Sequence, residues 1–159
     1  MTNRILLVDD ERSIRESLGK ILRAESYEVV LADNGEEAIQ KHGAQCIDLL
    51  ILDLNMPLKN GWLTLRSLVE SNPLLPIIII TGRANQRILA EKGGADVLME
   101  KPLDVRLLLQ TIRNLLSEPL ESRVQRASDR ASNFRRLSSD EEPSRETLLE
   151  RFTRRDHER

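Results

Sequence analysis

The sequence predicts a doubly wound α/β fold, and three observations carry that prediction. Short runs of Ile, Leu and Val recur five times, at ILLV (5–8), YEVVLA (27–32), LLILDL (49–54), PIIIIT (76–81) and DVLME (96–100). Three of these runs are apolar without alternation, the pattern of strands covered on both faces, as in a parallel sheet. Segments with helical period separate them, so strand and helix alternate.

Each element follows in order. After ILLV, Ile14, Leu18, Ile21 and Leu22 sit at i, i+4, i+7 and i+8, a core-facing helical stripe. YEVVLA runs into Asn34-Gly35, a turn that opens a second helix over Glu36–Lys41. LLILDL precedes a third stripe of Trp62, Leu65, Leu68 and Val69. PIIIIT precedes a short fourth helix, Ala84–Lys92, closed by Gly93-Gly94. DVLME precedes a fifth, Leu103–Leu116, with Leu107, Leu108, Ile112, Leu115 and Leu116 on one side.

Bulk properties bound the function. The chain has 159 residues, 24 Lys and Arg against 26 Asp and Glu, and a formal net charge of −2. That length suits one domain with an appendage, and its core needs no disulfide or metal staple. The near-neutral balance offers no bulk attraction to nucleic acid or membrane. The single cysteine, Cys46, excludes an internal disulfide and any thiolate cluster, and fits a reducing compartment. It is expected as a buried small residue beside a strand. No signal-peptide pattern opens the chain. The longest apolar run, Leu74–Ile80, is broken by Pro76 and is far short of a membrane span, so the protein is expected in the cytoplasm.

In doubly wound sheets, ligands bind beyond the carboxyl ends of the strands. The first run ends in Asp9-Asp10-Glu11, the third in Asp53 and the fourth in Thr81, while the fifth leads into Lys101-Pro102. Ionised together, Asp9, Asp10 and Asp53 raise one another's pKa unless a cation is near. An oxygen-only ligand set suits a hard cation that keeps several waters, Mg²⁺ or Mn²⁺. A divalent cation and Lys101 bring the formal charge of the cluster to zero. A carboxylate so placed can act as a nucleophile and form an acyl phosphate, with the Thr81 hydroxyl able to bond a phosphoryl oxygen. The blander readings make Asp53 a polar strand terminus, Asp10 or Ser13 a helix cap, Thr81 a β-branched strand residue and Lys101 a solvated charge. Met56 and Trp62 read as packing residues, and His42 and His157 as surface residues. Neither G-x-x-x-x-G-K-[ST] nor G-x-G-x-x-G is present, which removes the nucleotide-binding α/β folds.

The stretches RILLVDDE, LILDLNMPLKNG, IIIITG and MEKPLD, over residues 3–117, closely resemble the response-regulator receiver domain of two-component signalling. D-x-x-M-P-x-x-x-G fits Asp53, Met56, Pro57 and Gly61. The resemblance implies a flavodoxin-like five-stranded parallel sheet of order 2-1-3-4-5 over residues 1–117, with helices on both faces. It implies a sensor histidine kinase or phosphotransfer protein as donor, Asp53 as phosphoacceptor and Mg²⁺ as cofactor. Asp10 would then ligate the metal directly, Asp9 largely through water and Asn55 by its backbone carbonyl. Thr81 would be the switch hydroxyl, and Lys101 would pair with the phosphoryl group, held by a cis peptide before Pro102. The sequence departs from the family at Leu98, where an aromatic residue usually reports phosphorylation. The interval from Thr81 to Lys101 is also shorter than usual, which places a deletion in the fourth helix.

Beyond Ser117 the composition changes, with ten arginines, ten acidic residues, no lysine and no glycine. Residues 118–159 read as a charged tail without a recognised output domain. Leu120, Val124, Ala127, Ala131 and Phe134 have helical spacing, LSSDEEPS (137–144) is a break, and RETLLERF suits a second short helix. The tail is either a solvated extension or a partner-binding or dimerising helix; its acids argue against nucleic acid. The resulting expectation is a single-domain switch or relay rather than an enzyme, with downstream contacts through the tail or the face of the fourth helix, fifth strand and fifth helix. An aspartate-nucleophile phosphatase would want D-x-D after the first strand, where adjacent Asp9-Asp10 stand instead. A phosphorylation-independent scaffold acting through the tail is the alternative that Leu98 keeps open.

Overall fold

A computed structural model of the chain describes residues 1–56, 61–82, 90–91, 93–130 and 135–137. Its elements are β1 (Arg4–Val8), α1 (Arg12–Ala24), β2 (Glu28–Ala32), α2 (Gly35–Ala44), β3 (Leu49–Asp53), α3 (Gly61–Ser71), β4 (Ile77–Thr81), β5 (Val97–Glu100), α4 (Val105–Leu116), α5 (Leu120–Ser128) and β6 (Arg135–Leu137). All neighbouring strands run parallel, in the order β2-β1-β3-β4-β5-β6. The expected 2-1-3-4-5 sheet is therefore present, with a sixth strand from the tail added at β5. Pro57, most of the expected fourth helix, Ala131, Phe134, RETLLERF and His157 lie outside the described residues.

The alternation along each strand builds two cores. Leu6, Val8, Leu50, Leu52, Ile77, Ile79 and Leu98 face one side and meet Ala38 of α2 and Leu65 and Leu68 of α3. Ile5, Leu7, Leu49, Ile51, Ile78, Ile80, Val97 and Met99 face the other and meet Leu18 and Leu22 of α1 and Leu107, Leu108, Ile112 and Leu115 of α4. Each such side chain, fully buried, contributes about 1.5–3 kcal/mol against the chain entropy lost on folding. Helix starts are fixed by polar caps. Asn34 accepts the Glu37 N–H at 2.9 Å while Glu37 accepts the Asp33 N–H at 2.8 Å, a reciprocal cap that begins α2. Asp104 caps α4 by accepting the Leu107 N–H at 3.1 Å. Neither Asp10 nor Ser13 caps α1, because its N-cap is Glu11, which makes no side-chain cap bond.

Two expectations of exposure are corrected. Cys46 is exposed, since it lies in the turn between α2 and β3 rather than in the strand. His42 is half-buried, and burial lowers its pKa. On α5, Leu120 and Val124 of the tail's apolar stripe are exposed while Arg126 is buried.

Arg126 turns inward to meet a charge. Asp96, buried just before β5, has its Oδ2 bonded to the Ile77 N–H at 2.8 Å, and Arg126 Nη1 stands 2.6 Å from its Oδ1. Arg126 Nε donates to Glu118 at 2.7 Å. Arg130 donates to the carbonyls of Gly94, Pro73 and Leu75, and Arg123 ties α5 to the end of α4 through the Leu116 carbonyl at 2.8 Å. Gly94 has φ of +90°, a backbone state suited to glycine, in the turn that aims its carbonyl at Arg130. Burial pushes the Asp96 carboxyl upward in pKa, and Arg126 followed by Arg130 pulls it back.

Arg126→Ala leaves the Asp96 carboxylate buried without its ion-pair partner and is expected to cost about 3–5 kcal/mol at neutral pH in urea unfolding. The folded-state pKa of Asp96 then rises further above its unfolded value. The deficit therefore shrinks as pH falls towards the ordinary carboxylate range and grows as pH rises through the folded pKa. Asp96→Asn in the same chain restores part of the loss, because an amide keeps an acceptor for the Ile77 N–H and carries no charge.

Candidate functional site

Strand register assembles the site. Val8 pairs with Leu52, so the next residues, Asp9 and Asp53, lie side by side at the carboxyl edge of β1 and β3. Asp53 pairs with Ile80 and Thr81 with Glu100, which puts Thr81 and Lys101 at the same edge. Among the described residues, Asp9, Asp10 and Asp53 form an acidic group whose ligand oxygens lie within 4.8 Å of one another. Asp9 and Asp53 are buried and Asp10 is exposed, so the cluster opens to solvent on one side.

The buried carboxylates are aimed by backbone donors two residues on. Asp9 Oδ1 accepts the Glu11 N–H at 2.8 Å, and Asp53 Oδ1 accepts the Asn55 N–H at 2.8 Å. Arg15 Nη1 braces the first loop through the Asp9 carbonyl at 2.6 Å. The second oxygen of Asp53, Oδ2, receives Lys101 Nζ at 2.8 Å, an ion pair with a 3 % exposed carboxylate and a 28 % exposed ammonium. Lys101 keeps its own place through its N–H to the Thr81 carbonyl at 2.9 Å and is joined to Pro102 by a cis peptide, as expected.

The electrostatics fit a cation. Burial drives the Asp9 carboxyl up to about 6; the Glu11 N–H opposes that rise, and the charge of Asp53 adds to it. Burial pulls the Lys101 ammonium down in pKa, but its bond and charge attraction to Asp53 outweigh that and raise it overall. Three carboxylates of which one resists ionisation, with oxygen as the sole donor type, are a ligand set that a divalent cation would relieve.

All of the expected site residues except Leu98 meet at this edge. Leu98 is wholly buried in the core cluster on the α2–α3 face, with Ile79 and Ala90. Two contributors escaped the sequence reading. The Asn55 side chain accepts the Thr81 hydroxyl at 3.3 Å, and a Cβ on Gly82 would stand 3.1 Å from Asn55 Nδ2. Gly82 thus leaves room for the Asn55 amide beside Thr81; its only trace in the sequence is a glycine directly after the strand.

Comparison with known proteins agrees with this geometry. The family described as the response regulator receiver domain matches residues 5–113. The transcriptional regulatory protein CpxR of Escherichia coli (strain K12) is 38 % identical over 132 residues, covering 82 % of this chain and 56 % of CpxR. The response regulator MprA of Mycobacterium ulcerans is 36 % identical over 142 residues, covering 88 % of this chain and 61 % of MprA. The chain thus spans little more than half the length of these relatives. Among solved structures, a CheY-like receiver domain protein from Methanospirillum hungatei superposes with a TM-score of 0.71 at 29 % identity, covering 79 % of this chain and 98 % of that one. The response regulator TrrA of Thermotoga maritima, solved in complex with Mg²⁺-BeF, gives 0.66 at 35 % identity over 72 % of this chain and 99 % of that one.

Two outcomes test the cation site by calorimetric titration with Mg²⁺. Asp10→Ala is expected to weaken binding by roughly tenfold, about 1.4 kcal/mol. Because Asp9 is protonated below about 6, Mg²⁺ affinity falls as pH drops through that value and is regained above it. Asp9→Asn binds Mg²⁺ more weakly at neutral pH and loses this pH dependence. An unchanged profile in that variant moves the titrating group elsewhere.

Proposed function

This chain belongs to the response regulator receiver domain family, and from that premise we propose that it is a signalling switch or relay that takes a phosphoryl group onto Asp53 from a phosphohistidine in the presence of Mg²⁺. The observation that carries the reading is the Asp53 carboxylate itself, buried at a strand end, oriented by one backbone donor and one ammonium, and adjoined by two further acids.

In the transfer, an Asp53 carboxylate oxygen attacks phosphorus, the P–N bond to the donor imidazole breaks, and its electron pair leaves with the imidazole nitrogen. The product is an acyl phosphate on Asp53. Asp9, Asp10, Asp53 and the Asn55 carbonyl would hold Mg²⁺, which supplies charge neutralisation for the phosphoryl oxygens when bound. Lys101 Nζ, already 2.8 Å from Asp53, follows the new negative charge. The Thr81 hydroxyl, on a long 3.3 Å bond to Asn55, is placed to exchange that acceptor for a phosphoryl oxygen. The donor is a sensor histidine kinase or a phosphotransfer protein, and the role is a switch rather than turnover of a metabolite. A scaffold acting through the tail alone would leave the acid trio and Lys101 without a use.

The deciding experiment follows phosphorylation by Phos-tag mobility after incubation with a small-molecule phosphoryl donor. Wild type shifts only with Mg²⁺, and Asp53→Asn does not shift. Lys101→Ala shifts at least about tenfold more slowly, a loss of about 1.4 kcal/mol in transition-state stabilisation. A persistent band in Asp53→Asn overturns the nucleophile assignment.

A further inference from the structure

Thr81 closes β4 and Lys101 follows β5, so two of the reacting groups hang on one pair of short neighbouring strands. Where those ends fall is decided partly at the opposite end of the same pair. Asp96 stands one step before the paired residues Ile78 and Val97, opposite Ile77. The two residues exchange two bonds. The Asp96 N–H donates to the Ile77 carbonyl at 3.0 Å, and the Ile77 N–H donates to Asp96 Oδ2 at 2.8 Å. A slip of one residue would take the carboxylate off Ile77 and turn every β5 side chain to the other face of the sheet.

The tail holds both strand entries. Arg126 of α5 pairs with the remaining Asp96 oxygen, Oδ1, at 2.6 Å, so the carboxylate that sets the register is neutralised from the tail. Arg130, just past α5, donates to the Gly94 carbonyl ahead of β5 and to the Pro73 and Leu75 carbonyls ahead of β4. One guanidinium therefore bridges the two segments that lead into these strands. At the far end, the Lys101 N–H meets the Thr81 carbonyl at 2.9 Å and its ammonium meets Asp53 Oδ2 at 2.8 Å. Five residues at about 3.3 Å each set Asp96 and Lys101 roughly 16 Å apart. Between them Val97, Leu98 and Met99 are buried in close-packed core, which transmits a displacement rather than absorbing it.

Resting on the phosphoacceptor reading of Asp53, we propose that Asp96, Arg126 and Arg130 are positioning residues for phosphoryl transfer. They lock the register and spacing of β4 and β5, and so hold Lys101, with Thr81 beside it, where the phosphoryl oxygens arrive. None of the three touches the reacting atoms. The demand on placement is strict, because a shift of about 1 Å caused from afar can cost about 100-fold in rate. The tail is then part of the reacting machinery and not only an appendage to it.

The test uses the full chain. Because Arg126→Ala alone leaves Asp96 uncompensated, the working variant combines Arg126→Ala with Asp96→Asn; Arg130→Gln and the conservative Arg126→Lys stand beside it. Phosphorylation by a small-molecule donor with Mg²⁺ is timed by Phos-tag mobility, and amide hydrogen exchange is followed strand by strand. The double variant is expected to be phosphorylated at least about fivefold more slowly than wild type. Arg130→Gln loses less, and Arg126→Lys recovers most of the rate. In a Lys101→Ala background most of the fivefold loss disappears, as for residues that act through one group. Exchange rises at Val97–Lys101 and not at Leu6–Val8 or Leu50–Leu52. The proposal is overturned if the double variant reacts at the wild-type rate, if its loss persists in full without Lys101, or if exchange rises equally in all strands. A wild type that takes no phosphoryl group sinks the function reading instead, and the exchange pattern still decides whether the tail locks β4 to β5.

Discussion

A carboxylate at the end of a fully apolar strand is the constraint on which the site depends. Asp53 closes a strand that is buried throughout, and an unpaired charge there would cost several kcal/mol. Its cation comes from Lys101, which follows β5, two strands away in the sheet. A lysine stem is long enough to cross β4, and its ammonium stays partly hydrated at the open edge. The pair therefore gives a buried carboxylate its counter-charge in a place that water alone would not serve, while Asp9 and Asp10 add oxygen ligands for a second cation beside it.

Much of this was legible in one dimension because the fold converts strand ends into neighbours. Once LLILD, RILLV, PIIIIT and DVLME are read as parallel strands, their last residues and the residues just after them share one edge. Register completes the placement of Asp9 beside Asp53. The Gly82–Asn55 contact was not legible, since it rests on the room left by a missing Cβ. Cys46 was misplaced for a related reason: a small apolar residue just before a strand looks like core until the turn that exposes it is known.

The tail shows a deeper limit. Periodicity reports which residues of a helix share a face, and Leu120, Val124 and Ala127 do share one. It does not report what that face meets. Here the strongest available partner was a buried acid, Asp96, thirty residues before Arg126 in the chain. An uncompensated carboxylate in the core costs about 3–5 kcal/mol, comparable to the burial of two apolar side chains at about 1.5–3 kcal/mol each, and the inward Arg126 also meets Glu118. The helix consequently presents Leu120 and Val124 outward.

These two ion pairs act on one strand. β5 is only four residues long, with Asp96 just before it and Lys101 just after it. At its amino end Asp96 is clamped to Arg126 of the tail, and at its carboxyl end Lys101 is clamped to Asp53 of β3. A short strand fixed at both ends has little freedom to slide, so the position of the Lys101 ammonium depends on contacts made at the far side of the sheet. Residues beyond the family's core thereby contribute to the geometry of its reacting edge. The tail is bound into the receiver through the strand that delivers the lysine.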